Sequence, residues 1–262
     1  MAAGPQKFTF TPNDNMVMNA SAIEQVATWL RNAQRIVVLS GAGLSKASGI
    51  PTYRDADGLW MQGNNLLYSD AESFSTDPSG FRAFWAARRV QLESAQPNAA
   101  HHALVELQRL RPATTLVTQN VDGLLSRAGA RRVLELHGTL AHNVCTACGA
   151  RDPAERDGHC LQCGSSRPTV RPAVVMFGER LDSKTLAEAQ FVSKRADVFL
   201  SVGTTSVVYP AASLSETARI RGAKHVVLNI DTPVGLNEAD AVVLGPAETT
   251  LPQLVGLLRG AR

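Results

Sequence analysis

The chain has 262 residues, 44% of them hydrophobic and 19% charged, and carries a formal net charge of +3. That composition fits an ordinary soluble globular protein with one substantial core, since domains commonly hold about 100–200 residues. The charge is too small to point to specific nucleic-acid binding, no apolar run approaches the roughly 18 residues of a membrane span, and the first residues lack the apolar stretch of a secretory signal. A monomer in a reduced, cytoplasmic compartment is expected, with organelle import left open.

Residues 1–18 show no steady period and contain Gly, Pro and Asn, so they read as a loose arm. From Ser21 onward, Ile23, Val26, Ala27 and Leu30 are spaced as the apolar face of a helix. Residues 35–40 then read as a buried strand running straight into Gly41-Ala42-Gly43, the strand-then-glycine order of a nucleotide-binding unit. Such glycines let backbone N–H groups approach phosphate, but they also serve plain tight turns. Ser45, Ser48 and Gly49 extend the small-residue bend. The string is not GxGxxG, and no acidic residue stands at a convincing ribose position.

The next stretch is rich in turns and then helical over residues 80–93. Short β-branched runs return at 114–118, 197–202, 225–230 and 241–244, separated by helical segments such as 183–195 and 210–220. This alternation predicts an α/β fold: a Rossmann-like doubly wound parallel sheet with a small zinc-binding module and a helical insert. The expected parts are a single domain over 19–262, with the sheet from 19–45, 111–138 and 171–262, the insert at 46–110 and the zinc module at 139–170.

Cys145, Cys148, Cys160 and Cys163 are all the cysteines of the chain, two CxxC pairs separated by eleven residues. Each CxxC turn can present both sulfurs to one ion, so the four read as a structural Zn2+ site. Four protein ligands leave no open coordination position, and no cysteine remains as a nucleophile. Residues 139–170 are too polar and too few to bury much apolar surface, so the metal is expected to provide folding energy there.

Gly41-Ala-Gly-Leu-Ser45, Ser48-Gly-Ile-Pro-Thr-Tyr-Arg54, Thr118-Gln-Asn-Val-Asp122, Leu136-His-Gly138, the four cysteines, Phe177-Gly-Glu179, Gly203-Thr204-Thr205 and Asn229-Ile-Asp-Thr-Pro233 follow one another in this order. Over roughly residues 20–245 the chain resembles the sirtuin (Sir2) family, NAD-dependent protein lysine deacylases, and most of all the compact bacterial type. The resemblance implies NAD as cofactor and acyl-lysine proteins or peptides, bound as an added strand, as partners. It implies that the acyl oxygen attacks the nicotinamide ribose and nicotinamide leaves. His137 then takes a ribose hydroxyl proton, and the products are O-acyl-ADP-ribose and free lysine. An imidazole of ordinary pKa about 6.5 suits that proton transfer.

By the same resemblance Asn120 and Asp122 line the nicotinamide pocket, while Gln119 and Asn120 contact ribose or order its water. The plain alternative for Asn120 and Asp122 is helix capping. Gly41, Ala42, Gly43, Ser45, Thr52, Tyr53 and Arg54 correspond to the cofactor-binding loop. Gly203, Thr204 and Thr205 face the distal ribose and pyrophosphate, and Asn229 and Ile230 the adenosine. Asp240 either sits near adenine or terminates a strand. Val175, Met176, Phe177 and Gly178 correspond to the segment that receives the peptide.

Several positions depart from the family pattern: Tyr53 for phenylalanine, Thr205 for serine, Leu125 for histidine, and Met176 for tryptophan or phenylalanine. In relatives that handle succinyl- and malonyl-lysine, a tyrosine and an arginine three residues later bind the acyl carboxylate. Here those positions hold Trp85 and Arg88. The arginine fork is kept, and the indole N–H is a candidate donor. The plain alternative is a helix with Phe84 and Trp85 in its core and Arg88 on its flank. The expected activity is thus lysine deacetylation or wider deacylation. Desuccinylation, demalonylation or longer-chain deacylation through Arg88, and protein mono-ADP-ribosylation, are alternatives, and a noncatalytic NAD sensor is a weaker one.

Overall fold

Ile36 and Val38 point to one side of a strand and Val37 and Leu39 to the other, and all four are at most 1% exposed. A run buried on both faces belongs in the middle of a sheet covered on both sides. The computed structural model describes residues 12–52, 67–153, 155–205, 208–231 and 239–259.

In chain order, α1 (Pro12–Asn32) leads to β1 (Ile36–Ser40), and α2 (Ala71–Thr76), α3 (Pro78–Ser94) and α4 (Ala99–Leu110) precede β2 (Thr114–Thr118). Next come α5 (Leu124–Arg127), β3 (Val133–Glu135), β4 (Gly138–Cys145), β5 (Glu155–Arg156), β6 (His159–Cys160) and β7 (Val170–Val174). The chain continues through α6 (Ser183–Ser193), β8 (Val198–Val202), α7 (Ser213–Ile220), β9 (Lys224–Asn229), β10 (Ala241–Leu244) and α8 (Ala247–Arg259).

Six strands form one parallel sheet in the order β10-β9-β8-β1-β2-β3. β1 pairs with β2 and with β8 in register, Ile36 standing opposite both Thr114 and Val198. Strand order reverses between β1 and β8, where an open α/β sheet leaves a crevice at its carboxyl edge. On one face α1, α4 and α8 bury Ile36, Val38, Leu116, Leu200 and Val226. On the other, Ala189 of α6 and Leu214 and Ala218 of α7 cover Val37, Leu39, Val117 and Phe199.

Two elements differ from expectation. α1 begins at Pro12, so residues 12–18 are helical rather than a loose arm. Proline suits a first helical turn, where its fixed φ is compatible and no N–H is required. α4 was expected within the insert, yet Ala100, Leu104 and Leu107 pack in the same core as β1. Residues 1–11 of the expected arm lie outside the described residues.

The cysteine-bearing segment is built from the antiparallel pairs β4–β7 and β5–β6, around a small core of Cys145, Cys160 and Val170. A third apolar cluster joins this segment to α3 through Phe81, Trp85, Leu140, Val174 and Met176. Among the described residues no helix is long and apolar enough to cross a membrane.

Candidate active site and thiolate cluster

β1 ends at Ser40 and the chain turns through Gly41 into a 3-10 turn over Ala42–Leu44. The turn is pinned to the end of β8: Gly41 N donates to Val202 O at 3.0 Å and Gly43 N to Gly203 O at 2.9 Å. A Cβ on Gly43 would stand 2.7 Å from Gly203 Cα, and one on Gly203, at φ +55°, would stand 2.5 Å from Leu44 N. The two loops meet backbone to backbone, which only glycine permits.

The loop after β2 lies beside this turn. Gln119 N donates to Ser40 O, and Gln119 Nε2 to Thr204 Oγ1, each at 2.9 Å. Asn120 Nδ2 lies 3.1 Å from both Gly41 O and Ser45 Oγ. Ser45 is 1% exposed, and its hydroxyl donates to Asp122 Oδ2 at 2.6 Å. Asp122 Oδ1 accepts from Leu124 N at 2.9 Å, so from the position before the Gly123 N-cap it satisfies the first free N–H of α5. Burial pushes the Asp122 carboxyl above its ordinary range, against the Ser45 and Leu124 hydrogen bonds.

His101 completes this network and was not reached from the sequence. Its Nδ1 accepts from Asn98 N at 3.2 Å, so the neutral ring carries its proton on Nε2, 3.4 Å from Ser45 Oγ. Burial first, and the neighbouring His102 second, lower its pKa to about 4. The available signal was the spacing of Asn98 and His101, that of a capping box at the start of α4. Asn98 Nδ2 also donates to Leu44 O and Ser48 Oγ, at 2.9 and 3.0 Å, which ties α4 to the glycine turn.

His137 stands between β3 and β4, followed by Gly138 at φ +74°, where a Cβ would meet Ala173 O at 2.0 Å. His137 Nδ1 lies 2.9 Å from Gln119 O. A carbonyl only accepts, so Nδ1 holds the proton and Nε2 presents its lone pair. Burial holds the imidazole below its ordinary pKa, partly countered by the Gln119 carbonyl.

A cavity of about 780 Å³, counting its open mouth, lies between these loops and α3. Ala42, Ser45, Ile50 and Pro51 line it from the glycine turn side, and Gln119, Asn120, Val121 and Asp122 from the β2 loop. The facing wall holds Phe84, Trp85, Arg88, Gln91 and Leu92 of α3, with Leu140 of β4. Trp85 is 7% exposed and its Nε1 donates to Tyr68 O at 3.0 Å. Its N–H is therefore committed and does not serve as the donor to an acyl carboxylate that the sequence suggested. The Arg88 guanidinium lies 5.3 Å from the centroid of the Phe84 ring, and Nη1 donates to Gln91 Oε1 at 3.0 Å.

Beyond β7, Val175 N donates to His137 O at 2.9 Å, placing the expected peptide segment beside the histidine. Met176 is buried at 3%. The backbone of Phe177 pairs through N with Ser69 O and through O with Ala71 N, and the residue is 48% exposed. Gly178 adopts φ +87° at the turn that follows. Arg171 braces this turn, with Nη1 on Val174 O and Nη2 on Glu179 Oε1, while Glu179 Oε2 accepts from Met176 N.

At the far side of the crevice, Asn229 Nδ2 reaches Thr204 O at 3.4 Å. Thr205 is exposed, and Ile230 is 46% exposed at the end of β9. Asp240 is at the opposite end of the sheet, bonded to Lys224 Nζ and His225 N at the start of β9, so the strand-end alternative describes it and the adenine one does not. Thr52 is described, whereas Tyr53 and Arg54 lie outside the described residues.

The four sulfurs of Cys145, Cys148, Cys160 and Cys163 lie within 4.8 Å of one another. Cys145 Sγ is 3.8 Å from Cys163 Sγ, and Cys148 Sγ 4.0 Å from Cys160 Sγ. A Zn–S length of about 2.3 Å in a tetrahedron places sulfurs about 3.8 Å apart, so the donor set fits zinc in both chemistry and size. The Thr169 hydroxyl, 3.2 Å from Cys145 Sγ, favours the thiolate there.

The Sir2 family model matches residues 41–210, a span that runs from the glycine turn past the thiolate cluster to the loop after β8. The chain belongs to the Sir2 family. This sirtuin is 44% identical over 242 residues to the NAD-dependent protein deacetylase 2 of Streptomyces coelicolor, covering 86% of this chain and 97% of that protein. It superposes on a Sir2 homolog–NAD complex with TM-score 0.82 at 38% identity, covering 91% of this chain and 94% of that one. A Sir2–p53 peptide–NAD+ structure matches with TM-score 0.79 at 29% identity, covering 89% of this chain and 97% of the other.

Proposed function

We propose that this sirtuin is an NAD-dependent protein lysine deacylase that releases nicotinamide and passes the acyl group to ADP-ribose. The observation that carries the reading is one constellation at the carboxyl edge of the sheet. Asn120, Ser45 and Asp122 share a hydrogen-bond network on the cavity wall, and His137 is held by the adjacent Gln119 with Nε2 as its basic atom.

The crevice between β1 and β8 suits a dinucleotide. The backbone-to-backbone contact of Gly43 with Gly203 keeps bulky side chains out of that junction, and Gln119, Thr204 and Asn229 offer polar groups for ribose and phosphate. NAD supplies an electrophilic ribose carbon with nicotinamide as the leaving group. Asn120 and Asp122 orient the nicotinamide end, while Gly41, Ala42, Gly43, Ser45, Thr52, Gly203 and Thr205 line the path of the phosphates. Ile230 offers an apolar face to the adenosine. Ile50, Pro51, Phe84, Leu92, Val121 and Leu140 exclude water from the acyl group. His137 accepts the ribose hydroxyl proton at Nε2, and Gln119 O steadies the Nδ1–H of the imidazolium that results. An acyl-lysine peptide lies along residues 175–178 as an added strand.

Arg88 in the cavity wall favours a second reading within the same chemistry, removal of a carboxylated acyl group such as succinyl. Because Trp85 is already bonded to Tyr68 O, Arg88 would bind that carboxylate without its help. We therefore place acetyl and other uncharged acyl groups first. The test is NAD with matched acetyl-, succinyl- and longer-acyl-lysine peptides, following nicotinamide and deacylated peptide together. Equal amounts of both support deacylation, and nicotinamide without deacylated peptide overturns it in favour of ADP-ribosyl transfer or NAD hydrolysis.

A further inference from the structure

Helix α3 carries two consecutive arginines that turn different ways. Arg88 lines the cavity. Arg89 instead reaches β4, its Nε donating to Leu140 O at 2.8 Å and its Nη2 to Asn143 Oδ1 at 2.7 Å. Arg82, seven residues earlier and so on the same helix face as Arg89, comes within 3.8 Å of Glu155. One stripe of α3 thus faces the cavity and another faces the thiolate module.

The contact at Leu140 is made possible by an irregularity. The β4–β7 ladder runs in register at Thr139, shifts, and resumes at Asn143. Residues in such a break lose their ladder partners and turn their backbone groups elsewhere. Leu140 N donates to Val121 O at 2.9 Å, and Leu140 O receives Arg89. Val121 lies between Asn120 and Asp122, and both it and Leu140 line the cavity. Leu140, itself 4% exposed, is therefore a joint between the α3 wall and the loop opposite.

We propose that Arg89 is a positioning residue that sets the width of the acyl cavity through Leu140, and hence the length of acyl chain accepted. The inference rests on the deacylase reading above. A guanidinium presents its N–H groups in a rigid planar fork, so bonds from Nε and Nη2 fix the orientation of α3 as well as its distance from β4. Lysine is a point charge on a flexible stem and holds one of the two acceptors at a time. Without a donor, Leu140 O and Asn143 Oδ1 are left desolvated, and the joint relaxes.

The test uses the zinc-loaded 262-residue chain and a series of lysine peptides from acetyl to long acyl. For Arg89→Met, which keeps most of the stem, KM for the acetyl peptide rises about tenfold, KM for NAD stays within about twofold, and longer acyl chains gain relative to acetyl. Arg89→Lys recovers part of the change, and Arg82→Ala, on the same face but away from the cavity, keeps the wild-type acyl ranking. Asn143→Ala removes one bond of the two and shows the same shift at smaller amplitude, which keeps the proposal testable if Arg89→Met does not fold. An unchanged acyl ranking in Arg89→Met, or in Asn143→Ala if only that variant folds, overturns the inference while leaving the deacylase reading intact. Absence of deacylation by the wild type overturns both.

Discussion

Around β1, residues 36–40 are each at most 1% exposed and are covered by helices on both faces, whereas the core around the thiolate cluster consists of Cys145, Cys160 and Val170 with Ala150 packed against it. The sheet is large enough for apolar area to offset the entropy of ordering its chain. The module is not, and two of its three core residues are the metal ligands themselves. A zinc ion held by the four thiolates would do for the module what burial does for the sheet. The same contrast separates their tasks, since the sheet edge presents the polar groups of the cavity while the module braces the helix on the other side.

The sharpest way to break this comparison is Cys160→Ser. It is expected to abolish zinc binding and unfold the module, a loss of about 10 kcal/mol on the scale of structural zinc sites. Metal analysis and far-UV circular dichroism check it, and loss of the sheet's signal in the same step would show that the two regions are not held separately. Within the sheet edge, His137→Ala should lower kcat by about 10²–10⁴-fold with Tm little changed, measured by nicotinamide release and calorimetry. Because burial lowers the pKa of His137, wild-type activity should be lost as pH falls, with a midpoint below about 6.5.

Acid stability sharpens the point further. With a folded pKa of about 4, the buried His101 binds its proton less readily than the unfolded chain, whose histidines titrate near 6.5. Between those values the unfolded state holds more protons, so stability is complete above pH 6.5 and declines as pH falls toward 4. The loss is on the order of 3 kcal/mol, and His225, also lowered by burial, adds in the same direction. Urea titrations at pH 7.5 and 4.5 measure it, and His101→Asn should flatten the dependence. The smallest effect is expected from Asn98→Ala, about 1 kcal/mol from the lost helix cap, with a rise in KM for NAD because the glycine turn loses its tie to α4.

The strands were legible because Val, Ile and Leu cluster in short runs, and the thiolate site because CxxC spacing constrains what four sulfurs can hold. β3 is three residues long, too short to show a period, and α8 is interrupted in sequence by Pro252. The Ser45–His101–Asp122 network joins residues 56 and 77 positions apart, a proximity that no local pattern encodes. Helical spacing put Trp85 on α3 but could not say that its indole N–H would meet a carbonyl 17 residues earlier. The motif strings indicated which residues gather at the crevice. Their hydrogen bonds required the fold.

The position of β1 between β2 and β8 also has a consequence for biosynthesis. Arg35, just before β1, bonds Asp197, just before β8, across 162 residues of chain. At about 5–20 residues per second, a ribosome takes roughly ten to thirty seconds to make that interval. Throughout it the β8-facing edge of β1 has no permanent neighbour, and an unpaired apolar edge invites association with other chains. The nascent protein is most vulnerable to aggregation after β2 has emerged and before β8 has, which is when a chaperone would benefit it most.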